Sequence, residues 1–93
     1  MFVGTARAEF HIPWATSLKA KRSVVQSLKQ RISSRFNVSV AELDHLDLWQ
    51  RASLGVAVIS NDRGVVDQVL SSIMRLCEAE SRAVLIDYVV DIQ

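Results

Sequence analysis

Residues 2 to 12 read FVGTARAEFHI, and their side chains alternate strictly, with Gly4, Ala6, Ala8, Phe10 and Ile12 on one face and Val3, Thr5, Arg7, Glu9 and His11 on the other. A period of two sustained over that length is a half-buried strand, one side packed and one side wet. Pro13 ends it. Ser17 then suits the N-cap of a helix over residues 18 to 35, because its hydroxyl can accept an orphan backbone N–H. Leu18, Val24, Val25, Leu28 and Ile32 form one stripe of that helix, continued by Phe36 at its exit. Asn37 leads into a second strand, Val38 to Leu43, followed by the polar connection Asp44-His45-Leu46-Asp47. A third strand over Gln50 to Ser60 turns Ala52, Leu54, Val56 and Val58 inward. Asn61 is placed to cap a second helix, whose Val66, Val69, Leu70, Ile73 and Cys77 share a face. The last strand, Ala83 to Ile92, sets Val84, Ile86, Tyr88, Val90 and Ile92 against Leu85, Asp87, Val89 and Asp91.

The order βαββαβ with two right-handed crossovers puts both helices on one face of a four-stranded antiparallel sheet, strand order 4-1-3-2. This is the ferredoxin-like α+β sandwich, and 93 residues hold one such domain over 1–93. One sheet face stays uncovered. It is either solvated, as antiparallel sheets often are, or a subunit contact built on Val3, Ala57, Ile59, Leu85 and Val89.

Hydrophobic residues make up 49% of the chain, with one Pro and three Gly, which excludes a disordered tail. Arg7 and Glu9 interrupt the first apolar stretch, and nowhere do 18 apolar residues run together, so neither a signal segment nor a membrane span is expected. A single cysteine, Cys77, cannot make an internal disulfide or a multi-cysteine zinc site. A cytoplasmic protein is expected.

Charge is distributed unevenly. Residues 1 to 40 carry seven basic residues against the single acid Glu9, whereas residues 41 to 93 carry four against nine acids. Six of the cations, Lys19, Lys21, Arg22, Lys29, Arg31 and Arg35, lie in the first helix, which holds no acid. Cations near a helix N-terminus oppose the macrodipole, so stability by itself would not select Lys19, Lys21 and Arg22 there. Free backbone N–H groups, the Ser17 hydroxyl and these cations together suit phosphate. Trp14 adds a flat surface on which a base could stack; the alternative is that these cations line a solvated helix face and Trp14 covers an open end of the core. Arg7 and Arg51 extend the candidate anion-binding set onto the open sheet face, where Glu9 and Asp87 could instead pair with them. Lys21 has two readings. It falls within the apolar stripe, so its ammonium either contacts a ligand or finds a carboxylate, with Glu42 the nearest on pattern.

No catalytic constellation stands out. His11 and His45 lack metal-ligand spacing, Asp44, His45 and Asp47 more often make a hydrogen-bonded turn than a metal site, and Cys77 lies on an apolar stripe. No glycine-rich phosphate loop or nucleophile elbow is present. Acylphosphatases share the fold and size, but their glycine-rich loop leading to an arginine is missing after the first strand. No enzyme activity, metal or cofactor is expected.

Five runs carry a family resemblance: His11-Ile12-Pro13; Ser17-Leu18-Lys19-Ala20-Lys21-Arg22; Arg35-Phe36-Asn37-Val38-Ser39-Val40-Ala41-Glu42; Asp47-Leu48-Trp49-Gln50-Arg51; and Leu54-Gly55-Val56-Ala57-Val58-Ile59-Ser60-Asn61-Asp62. In this order they resemble the YlxP-like family of small bacterial proteins of uncharacterised function. The resemblance spans nearly the whole chain. It implies a ferredoxin-like fold and a bacterial cytoplasmic setting. Because such genes often neighbour translation and ribosome-maturation factors, it also implies a partner in ribosomal RNA or a ribosomal subunit. The expectation is thus a non-catalytic RNA- or ribosome-associated accessory protein, the alternative being a protein-interaction module that forms a homo-oligomer through the open face or an edge strand.

Overall fold

In the computed structural model, which describes residues 1–93, the elements are β1 (Phe2–His11), α1 (Leu18–Arg35), β2 (Ser39–Asp44), β3 (Arg51–Ser60), α2 (Arg63–Glu78) and β4 (Val84–Ile92). The sheet is antiparallel in the order β2-β3-β1-β4, the ferredoxin-like arrangement. Alternation in β1 translates directly into packing, with Gly4, Ala6, Ala8 and Phe10 all buried beneath the helices. Their small size sets the helix distance. A Cβ at Gly4 would stand 2.3 Å from Cγ1 of Val66 and 2.9 Å from Cδ1 of Leu70, so α2 lies almost on the β1 backbone. Val24, Val25, Leu28 and Ile32 of α1 and Val66, Leu70, Ile73 and Cys77 of α2 close the core over Leu54, Val56 and Val58 of β3.

Helix termini are capped by side chains. Ser17 Oγ accepts from the Ala20 N–H at 3.0 Å. At α2 the cap is Asp62 rather than Asn61: its carboxylate accepts from the Gly64 N–H at 2.8 Å, a stronger charge-assisted bond at the positive end of the helix dipole.

Two bulges change which way side chains point. In β4 the register with β1 slips between Glu9 and Phe10, leaving Ile86 as an extra residue. A bulge inverts the alternation. Leu85 therefore packs against the core, whereas Val84 pairs beside His11 and, like Ile86, is exposed. The expectation that Leu85 belongs to the open face and Val84 and Ile86 to the core is corrected accordingly. In β2 the slip lies between Glu42 and Asp44, and the extra residue Leu43 folds across the open face above Gly55, where a Cβ would meet its Cδ1 at 2.6 Å.

Candidate nucleic-acid interface

The cations of α1 separate into two groups. Lys21 is 1% exposed, and its ammonium donates to Glu42 Oε2 at 3.2 Å, the His45 carbonyl at 2.8 Å and the Leu46 carbonyl at 3.3 Å. Three acceptors exhaust its three donors. Lys21 is therefore withdrawn from the anion-binding set; it fastens the β2–β3 turn to α1, a turn in which His45 adopts φ 62. Arg31 approaches Glu80 at 3.2 Å, and Arg82 donates from Nε to the same carboxylate oxygen at 2.8 Å with Nη2 2.6 Å from it, so the Glu80 side chain is 5% exposed between two guanidinium groups.

Lys19, Arg22, Lys29 and Arg35 make no ion pair. The first three share a stripe with Gln26 and Ser33, since spacings of three and four residues return to one side of a helix. Beside Lys29 a shallow groove of about 530 Å³, lined also by Gln26, Gln30, Ser33, Ser34 and Val40, runs between α1 and the β2 edge. Its lining side chains are almost all polar. At the head of the helix Ser17 is engaged as the cap, and Trp14 donates from Nε1 to the Arg82 carbonyl at 2.7 Å with its ring half exposed.

A family model described as a protein of unknown function (DUF503) matches residues 3–90. The chain belongs to the DUF503 family. It is similar to the uncharacterised protein YlxP of Bacillus subtilis strain 168, with 35% identity over 77 residues that cover 83% of this chain and 84% of that protein. The ferredoxin-like fold expected from that resemblance is the one this DUF503 member has.

Arg7 and Arg51 are placed differently from the helix cations. Arg7 Nε donates to Glu9 Oε1 at 2.9 Å and its guanidinium lies 3.6 Å from Asp44, while Arg51 reaches Glu9 Oε2 at 3.5 Å. Ser53, fully buried, donates to Glu9 Oε1 at 2.6 Å, and His45 Nε2 lies 3.5 Å from Oε2. Burial pushes the Glu9 carboxyl up, but the hydrogen bonds from Ser53 and Arg7 and the charges of Arg7 and His45 outweigh it and hold the group below the ordinary 4.5. Both arginines are thus neutralised at one end of the open face. Asp87, expected as a partner, pairs with neither.

Sequence reasoning offered Glu9 as a partner for Arg7 and Arg51, which it is, but missed Ser53 and His45 at the same carboxylate and Glu80 as the anchor of Arg31 and Arg82. The Glu80 contact with Arg31 joins residues far apart in the chain, and no local period marks such a pairing. Trp49 is 52% exposed, and Gln50 next to it ties the start of β3 to the loop after β1, donating to the Pro13 carbonyl at 2.9 Å. Cys77 is buried, and desolvation pushes its thiol up to about 11, so it is an inert core residue. No three His, Cys, Asp or Glu side chains gather as a metal cluster, and no helix is long and apolar enough to cross a membrane.

Proposed function

We propose that this protein is a non-catalytic RNA- or ribosome-associated accessory protein of the bacterial cytoplasm, which holds the phosphate backbone with the Lys19, Arg22 and Lys29 flank of α1. One observation supports this reading above the others: Lys21 and Arg31 are absorbed by Glu42 and Glu80, whereas three of the four α1 cations left over, Lys19, Arg22 and Lys29, fall on one acid-free stripe. Unneutralised cations in the first turns oppose the helix dipole, a cost that a bound polyanion reverses. From Lys19 to Lys29 the helix rises about 15 Å, long enough to follow successive phosphates of a strand. The amides and hydroxyls beside Lys29 supply uncharged donors for phosphate or ribose oxygens. Arg7 and Arg51 stay outside this contact, because Glu9 holds them.

Three phosphate contacts give a slope of log affinity against log salt of roughly −2.1 to −2.7, so binding to ribosomal subunits or their RNA should weaken roughly 20- to 40-fold between about 50 and 200 mM salt. The combined variant Lys19→Glu, Arg22→Glu, Lys29→Glu should lose binding while keeping its fold. Binding that is absent at low salt, or that survives the charge reversal, would refute the reading.

A further inference from the structure

The open face of the sheet divides along its length. At one end, Arg7, Arg51, Glu9 and Asp44 cancel one another's charge within the monomer. Toward the other, Val3 pairs with Ile59 and Thr5 with Ala57, and Val89 marks the boundary beside Arg7, leaving Ile59 62% and Val89 56% exposed. Beside Val3 and Ile59, and lined by Thr5, Ala57 and Val89, lies an apolar groove of about 410 Å³. Gly55, Ala57 and Thr5 form its small-residue floor, with Leu43 as one wall and Val89 as the other.

We infer that this face closes on a second copy of the chain, so that the protein is a face-to-face dimer in solution. The same patch carries both ridges and the hollow to receive them, which is the condition for a self-complementary two-fold contact. Its charges match as well. The only charged residues bordering the groove are Arg7 and Asp91, of opposite sign. Asp91 has no cationic partner within the monomer, only the amide of Gln93 at 2.9 Å, and Arg7 hydrogen-bonds Glu9 through Nε alone, so the carboxylate of one copy can meet the Nη groups of the other. Strands of ten, ten, nine and six residues, at the usual strand spacing, offer roughly 600 Å² in projection, comparable to the ~800 Å² per partner of a stable interface. An RNA occupant is disfavoured by this composition, because Glu9, Asp44 and Asp91 set three carboxylates beside the two arginines. The inference is independent of the RNA reading, since α1 packs on the opposite side of the sheet.

Sedimentation equilibrium of the full chain should give about twice its 10.4 kDa mass. Ile59→Lys and Val89→Lys, each setting an ammonium into the contact, should weaken association about tenfold or more. A second measurement avoids disruptive variants. In the Ala57→Cys variant the native Cys77 stays buried, so an added thiol reagent reads the new site, which should label slowly at high protein concentration and quickly on dilution. A wild type that stays monomeric to about 100 μM overturns the inference. So does a dimer that withstands both lysines and leaves the introduced thiol freely reactive, because the contact then lies on another surface.

Discussion

Replacing Lys21 by Met removes an ammonium that is 1% exposed and keeps a side chain of similar length in its place. The change strips the Glu42 carboxylate of its partner at 3.2 Å and leaves the His45 and Leu46 carbonyls without the donor that fixes the turn. Breaking a fully buried pair by removing one partner costs about 3–5 kcal/mol. The Glu42 side chain is 18% exposed and can partly rehydrate, which lowers the expected loss to about 2–4 kcal/mol. For a domain of this size that corresponds to a fall in melting temperature of roughly 8–32 °C. Thermal and urea unfolding followed by circular dichroism measure it directly. The double variant Lys21→Met, Glu42→Leu should recover more than half the loss, because the stranded carboxylate goes with its partner. Folded Lys21→Met should also bind RNA as well as the wild type does. A loss below about 1 kcal/mol, or a double variant worse than the single one, would refute the argument that Lys21 is a structural cation.

Gly4→Ala should destabilise by about 1–3 kcal/mol in urea melts, because the new methyl meets Cγ1 of the buried, β-branched Val66 at 2.3 Å and that side chain cannot swing aside; an unchanged midpoint would show that α2 lies farther from β1. Glu9 contributes stability that is fully present above its unfolded value of 4.5 and is lost as the pH falls through its lower folded value. Melting temperatures recorded as a function of pH should therefore drop below 4.5 in the wild type and more shallowly in Glu9→Gln; parallel curves would remove Glu9 from the acid response.

Two features of the candidate site were legible in local pattern. Lys21 announced its partner because a lysine within the Leu18, Val25, Leu28 and Ile32 stripe must find a carboxylate, and the alternation of Val38, Val40 and Glu42 turned Glu42 toward the helix. The exposed flank of Lys19, Arg22 and Lys29 followed from the same wheel. Arg31 lies off that flank, and no local pattern gave it a partner; Glu80 reaches it from beyond the end of α2.

Sequence by itself determined the six elements, the split of β1 into a packed and an open side, the Ser17 cap and the strand order, since each follows from a period, a capping chemistry or a handedness rule acting over a few residues. Tertiary structure decided whatever depends on distant partners. Leu43 and Ile86 became bulges only when paired with β3 and β1, and that inversion moved Leu85 into the core and laid Leu43 across the open face. Glu9 became a hub because strand pairing brought Ser53 beside it and the turn brought His45. Strand periodicity carries no record of where a partner strand slips by one residue, and the sum of charges carries none of which cation a folded carboxylate will reach.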